Sequence, residues 1–452
     1  MQNQKIFELT GTPFVDAGIA TLCVLCDKKS PEDLTYEDLL LASERAAEIY
    51  LTQNWKKSLY SVFPNSLLTN PSSQKSGNIK VRYLHFLRAL IKTSEHHSGE
   101  KVCISCGRRT VEIPKIRMDI PLLGSGDIIN FFPSGQRGAD YCNVCTFAVQ
   151  FFPLSMRKGV KLFSIHSLSL EILKSWARPS LKLIEQELLM GNLQGPLTAK
   201  SNSPMNALFE FSSEILTELE ERSDLEEISG AGVDLLQFTN FQQGANLRIY
   251  GLPSRIFRFL YNIRYDTSNQ NDWRNIVNRN YKRKKNSVEI DYNELNGVYD
   301  SLLNGKPLTP FFLDRKNKVN ICSWKFVKFY LEEIRKMEKE RIEKIRQVAD
   351  NIGSYLLEQG SVKLLYRFEN CKSYAEFRNQ LRKIQKDWAL NIRDGVPFTF
   401  DDYVNYLFPE SAIDWKDTRD LMLFRIYEKM GTSSIKEQLI EMEKTDEMKE
   451  ED

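Results

Sequence analysis

Six of the eight cysteines in this chain fall in Cys-x-x-Cys pairs. In a chain without secreted character, that spacing belongs to metal or redox chemistry rather than to structural disulfides. Cys103-Ile-Ser-Cys106 and Cys142-Asn-Val-Cys145 carry the strongest signal. Each pair can present two thiolates to one ion, and together they complete the tetrahedral four-sulfur shell typical of structural Zn²⁺. Gly107, directly after the first pair, allows the tight backbone turn such a knuckle needs. Thirty-five residues separate Cys106 from Cys142, so a long insertion must lie between the two halves of a ribbon-like module. Two unrelated buried pairs remain an alternative reading. A redox dithiol is a third, although no thioredoxin-like strand–helix context surrounds either motif.

The other chemical groups give less. Cys23-Val-Leu-Cys26 lies in an apolar helical run, where cysteines behave as small hydrophobes. Only four histidines are present: His85, His96, His97 and His166. None stands in a His-Glu-x-x-His or a deaminase-type pattern. Gly124-Ser-Gly126 is too short for a phosphate-binding loop and lacks the following lysine, and no Gly-x-Ser-x-Gly elbow occurs. Four thiolates around one metal leave no open position for a reacting water. The expectation is a protein without a catalytic site.

Net charge is only +2, yet the signs are segregated. Residues 207–228 carry eight carboxylates against one arginine, whereas Arg274, Arg279, Lys282, Arg283, Lys284 and Lys285 fall within twelve positions. Such segregation suggests one face for an anionic partner. Beside the cysteines, Arg108, Arg109, Lys115, Arg117, Gln136 and Arg137 are candidates for contact with nucleic acid. Arginine can grip guanine or phosphate with its planar fork, and glutamine can pair with adenine. The Arg279–Lys285 cluster, with Trp273 and Tyr281 interleaved, fits backbone contact plus base stacking. Solvated loop charges are the bland alternative for both groups. Lys336, Lys339, Arg341, Lys344 and Arg346 alternate with glutamates and read as a solvated, ion-paired helix face.

These groups need elements to position them. A chain of 452 residues exceeds one core, so two to four domains are expected. The pattern predicts an α+β fold, with a zinc-ribbon-containing N-terminal region followed by an all-helical C-terminal bundle. The expected segments are a mostly helical region (1–97), the ribbon-like module (98–160), a mixed region (161–320) and a helical domain (321–452). The opening run should be a helix with Thr12 at its N-cap and Pro13 in its first position. Helices are expected at 31–62 as a pair and at 79–92. Loop-and-hairpin composition covers 98–160, KLFSIHSLSLEIL begins strand-like, 191–206 reads as a linker, and an acidic helix follows at 207–228. Asn246 opens a strand. Phe326, Tyr330, Ile334, Met337, Ile345, Val348, Ile352 and Leu356 form one apolar stripe, predicting a helix of about thirty residues. Further helices are expected at 373–392, 400–408 (with a box-like start at Thr399 and Asp402) and 411–430, then about fifteen frayed residues. No stretch reaches the roughly 18 apolar residues of a membrane span. The first residues lack a basic leader with an apolar core, which points to the cytoplasm.

Two blocks resemble a known family. Pro121–Met156 (PLLGSGDIINFFPSGQRGADYCNVCTFAVQFFPLSM) is similar to the core of the CRISPR-associated CXXC–CXXC family, large subunits of type I-B interference complexes (Cascade). Leu9–Leu22 (LTGTPFVDAGIATL) resembles that family's opening motif. The resemblance implies a subunit at the end of the complex that holds the 5′ handle of the guide RNA. Such a subunit reads the short protospacer-adjacent motif on target double-stranded DNA while guide pairing reads sequence. It marks the target for a separate helicase-nuclease or, in some systems, a transposition module. Implied partners are the backbone, guide-end-binding and small subunits, with no membrane. The implied C-terminal domain is a small-subunit-like helical bundle that contacts the displaced strand. A free-standing zinc-ribbon DNA- or RNA-binding protein is the first rival, and an enzyme with an unrecognised site the second.

Overall fold

The structure is a computed structural model that describes residues 6–75, 77–92, 100–110, 114–124, 138–222, 230–241, 244–285, 287–391, 395–409 and 414–450. Helices and small antiparallel sheets make an α+β fold. The chain divides into two compact units, Met1–Phe257 with Tyr292–Glu294, and Arg258–Asp291 with Leu295–Asp452.

The first unit is organised around helix α1 (Pro13–Leu25), in which every residue from Phe14 to Cys23 is buried. A helix apolar on all sides has no solvent face to offer, and so becomes a core element. Thr12 occupies the N-cap and Pro13 the first position, as expected, but the Thr12 side chain makes no capping bond. The buried Asp16 carboxylate instead ties the residues before the helix to its first turn. It accepts hydrogen bonds from the N–H groups of Thr10 (2.7 Å) and Gly11 (2.8 Å) and from the Thr10 hydroxyl (2.9 Å).

Around α1 stand α2 (Tyr36–Tyr50), which starts in a Thr35–Asp38 capping box, α3 (Gln53–Leu59), α4 (Pro71–Lys75) and α5 (Ile79–Lys92). A two-residue hairpin follows, β1 (Lys101–Val102) against β2 (Arg109–Thr110), and then α6 (Asn143–Val149). The hairpin fits the composition of 98–160; α6 does not. All seven residues of α6 are buried, so no polar–apolar period announces it. The run Ile128–Phe132 lies outside the described residues.

The main sheet is antiparallel in the order β3-β4-β5-β6, formed by β3 (Arg157–Lys158), β4 (Leu162–His166), β5 (Val233–Thr239) and β6 (Asn246–Leu252). Helices α7 (Leu170–Leu189) and α8 (Pro204–Arg222) complete the unit. The strand-like run at 161 stops at His166; the Ser169 side chain then accepts from the Ile172 N–H and starts α7. Phe238 on one sheet face meets Phe14 of α1 (5.1 Å between ring centroids), while Phe163 on the other meets Phe211 of α8 (5.8 Å). Pro179 interrupts the hydrogen bonds of α7. The buried Arg157 guanidinium donates to the Trp176 carbonyl (3.0 Å) one turn earlier and lies over the Trp176 ring (4.3 Å). Burial pushes the Arg157 pKa down to about 10.

In the second unit, α9 (Ser254–Arg264) runs in from the first; α10 (Thr267–Arg279), α11 (Gly297–Leu303) and a small strand pair, β7 (Leu313–Asp314) with β8 (Val319–Asn320), follow. The single long helix expected after Ser323 is two helices, α12 (Trp324–Glu333) and α13 (Lys339–Glu358). Lys336 adopts φ +53° and the Met337 N–H closes back on the Leu331 carbonyl (3.0 Å). The stripe misleads because both helices turn the same face inward: Phe326, Tyr330, Ile334, Ile345, Val348, Ile352 and Leu356 are all buried.

The unit closes with α14 (Val362–Glu369), α15 (Tyr374–Asn391), a six-residue π-helix at Asp402–Leu407, α16 (Trp415–Met430) and α17 (Ser434–Glu450). The Thr399–Asp402 box is present, with reciprocal bonds of 2.9 and 3.0 Å. The last fifteen residues, expected to fray, are helical to Glu450. Leu439 is fully buried and Glu443 pairs with the buried Lys318 ammonium (2.7 Å), anchors that a count of charges does not reveal.

Helices α1 and α6 approach closely at Gly18, where a Cβ would sit 2.0 Å from the Ala148 carbonyl oxygen of α6. Gly18→Ala therefore has to push two backbones apart. We expect a loss at the upper end of the ~1–3 kcal/mol typical of overpacking, read as a lower midpoint in chemical denaturation. An unchanged midpoint would mean that α1 and α6 do not cross this closely.

Candidate metal centre

The first cysteine pair sits at the tip of the β1–β2 hairpin. The Cys103 N–H donates to the Arg108 carbonyl (2.8 Å), the Gly107 N–H to the Cys103 carbonyl (2.9 Å), and Gly107 adopts φ +72°. That left-handed residue lets the chain fold back tightly enough to aim two sulfurs at one point. The second pair is built differently. Cys142 is the N-cap of α6, and its Sγ accepts from the Cys145 N–H (3.4 Å). The Ile104 N–H bonds the Asp140 carbonyl (2.9 Å) and locks the halves together.

The four Sγ atoms lie within 4.8 Å of one another, with 3.6 Å between those of Cys106 and Cys142. A tetrahedral site with arms of ~2.3 Å has sulfur–sulfur edges of about 3.8 Å, so the spacing fits a metal ion bound by four thiolates. Cys103, Cys142 and Cys145 are buried and Cys106 is half-buried. Hydrogen bonds from Cys106, Cys142 and Cys145 hold the Cys103 thiol far below its usual range. The bonds that Cys142 and Cys145 make to their sulfur neighbours, together with burial, push their own pKa values up. Cys106 is lowered as well, to about 7, so the nest by itself favours thiolates on the first pair and thiols on the second, and a cation is what would allow four thiolates.

The cysteine module is tied to the start of the chain. Ser105 Oγ donates to Thr10 Oγ1 (2.9 Å); the Arg108 guanidinium donates to the Ile6 carbonyl (2.5 Å) and reaches Glu8 (3.3 Å). Arg109 is exposed on β2. Lys115 Nζ donates to Asn143 Oδ1 (3.3 Å), and Arg117 is half-buried with its carbonyl accepting from Asn240. Gln136 and Arg137 lie outside the described residues.

The basic cluster belongs to the second unit and forms a closed turn with an Arg283–Ile290 bridge. Arg279 pairs with Asp314 (2.5 Å), the Arg283 guanidinium donates to the Val288 carbonyl (2.8 Å) and Lys284 pairs with Glu289 (2.7 Å). Lys282 and Lys285 are exposed. The interleaved rings turn inward: Trp273 packs on Phe259 (5.8 Å) and Tyr299 (6.3 Å), and Tyr281 also meets Tyr299 (6.2 Å). Both rings are half-buried, so each keeps an exposed part beside the cluster. On α13, Lys344 pairs with Asp402 and Arg346 with Glu343.

Sequence reasoning passed over Asp16, which faces His166 Nε2 at 3.6 Å besides its three bonds to the chain start. A lone carboxylate inside an otherwise apolar run was the available signal. Among the described residues, no helix is long and apolar enough to cross a membrane.

Hairpin, buried helix and four converging thiols make a module whose sulfur cluster could hold a metal ion. Residues 96–157 match the family model described as CRISPR-associated protein (Cas_CXXC_CXXC), and the match supports a CRISPR-associated CXXC–CXXC protein. No curated protein and no solved structure matches the chain.

The remaining pair stands apart from this centre. Burial pushes the Cys23 thiol up to about 12 and the Cys26 thiol up to about 11, and Cys26 Sγ lies 3.6 Å from the Asp38 carbonyl. Both should stay protonated and resist iodoacetamide at pH 8 in the folded protein, and react once it is unfolded. Peptide mapping by mass spectrometry checks this; rapid native alkylation of Cys23 would contradict it.

Proposed function

We propose that this chain is a non-catalytic large subunit of an RNA-guided, type I-B CRISPR interference complex, stapled by one structural zinc ion. The observation that carries this reading is the coincidence of the family match at 96–157 with a built four-sulfur site. Zinc suits a shell of four thiolates, and such a shell serves folding rather than turnover because it leaves no position for substrate. In this reading the first unit, where the Leu9–Leu22 block and the cysteine module are bonded together, reads the protospacer-adjacent motif and contacts the guide RNA. The helical second unit lies along the displaced strand, and the assembled complex recruits the helicase-nuclease or transposition protein. Exposed Arg109, Lys282 and Lys285 are candidates for phosphate contacts.

Two measurements test this. Metal analysis should find about one zinc per chain, lost in the double variant Cys103→Ser/Cys142→Ser together with thermal stability, and retained in Cys23→Ser/Cys26→Ser. A stable, metal-free wild type would sink the zinc. Co-expression with the neighbouring genes and their repeat array should yield a complex holding guide-length RNA. A chain that purifies free of RNA and of other subunits would favour the rival, a free-standing zinc-ribbon nucleic-acid-binding protein.

A further inference from the structure

A groove of about 1040 Å³ opens in the second unit between the start of α14, the outer face of α15 and one side of α17. That is the size of a ligand cleft, at the upper end of the usual ~300–1,000 Å³. Its walls differ in chemistry. Lys363 of α14 and Lys383 and Lys386 of α15 line one side, and none of the three has an ion-pair partner among the described residues. Gln438, Glu441 and Thr445 line the other side, from α17. Apolar groups lie between them, including Val362, Met442 and Leu390, the last 67% exposed. Asp387 also borders the groove and accepts from the Tyr355 hydroxyl (2.8 Å), so with Glu441 two carboxylates stand beside the three ammonium groups.

Unpaired ammonium groups within one cleft favour an anion carrying more than one charge. The accepting carboxylate of Glu441 and the amide of Gln438 favour a donor on the same ligand. The apolar strip favours a flat or hydrophobic body joining the two. We propose that this groove is a nucleotide-binding site, taking a nucleoside phosphate whose base carries an amino group. Lys363, Lys383 and Lys386 hold the phosphate, while Glu441 and Gln438 receive the base edge, as carboxylates accept from the cytosine amino group in base readout. The nucleotide is either free or part of a single strand, since the recognising chemistry is the same. The site does not depend on the zinc centre or on the interference-complex reading.

Isothermal titration of the full-length chain with dCMP and dUMP tests it, because the two differ at the amino position. We expect saturable dCMP binding and dUMP binding weaker by about tenfold, the equivalent of ~1.4 kcal/mol. Lys383→Ala/Lys386→Ala should weaken both by at least about tenfold, and Glu441→Gln should narrow the gap between them. Circular dichroism confirms that the variants, all at exposed positions, are folded. Parallel titrations with oligodeoxycytidylate and oligodeoxyuridylate separate the sources. Similar affinity per site for monomer and oligomer indicates a free nucleotide, and much tighter oligomer binding indicates a strand. The proposal is overturned if neither form binds saturably, if the lysine variant binds unchanged, if dCMP and dUMP bind alike, or if inorganic phosphate competes as well as dCMP.

Discussion

The first unit depends on a contact between two backbones. Where α1 crosses α6, the only side chain that fits at position 18 is a hydrogen atom, and the opposing surface is a peptide carbonyl. That approach fixes α6, and α6 fixes Cys142 and Cys145, one at its N-cap and one in its first turn. The same α1 begins just beyond Thr10, which receives the Ser105 hydroxyl from the first knuckle. Both halves of the sulfur cluster are therefore referenced to one buried helix. Metal geometry here is a property of helix packing as much as of the loops that carry the ligands.

A second theme is how this chain uses buried charge. Asp16 holds the chain that leads into α1, and Arg157 bonds the Trp176 carbonyl of α7. Each buried side chain finds backbone partners. A buried charge costs several kcal/mol unless it is hydrogen-bonded in this way, so its partners must be in place when the core forms.

Elements with a solvent face were legible from their period, and the buried α1 from its Thr12–Pro13 start. Helix α5 alternates polar and apolar residues and its expected limits were met, as was the β6 strand. Cysteine spacing was enough to bring four sulfurs together without knowledge of what lay between. What stayed hidden has common physical origins. Helix α6 is too thoroughly buried to show a period, and the break before α13 rests on one left-handed lysine that apolar spacing cannot register. The basic run was visible as charge, whereas the packing of Trp273 and Tyr281 beside it is a tertiary fact. The groove joins the neighbouring helices α14 and α15 to the later α17, a juxtaposition that the order of residues does not show.

Lys318 sets how much of the C-terminus is part of the fold. Its ammonium is fully enclosed and serves two carboxylates, Glu369 from α14 and Glu443 from α17. The Tyr427 hydroxyl donates to the same Glu369 oxygen, and burial raises the Glu369 pKa. One positive charge thus holds two negative ones, and only one of the two lies near the end of the chain. Composition would let a protein engineer trim everything charged after Met430 as a solvated tail. The boundary instead falls beyond Glu443: a fusion or affinity handle appended past that residue leaves the triad whole, whereas a cut before it opens a sealed ion pair to water from one side.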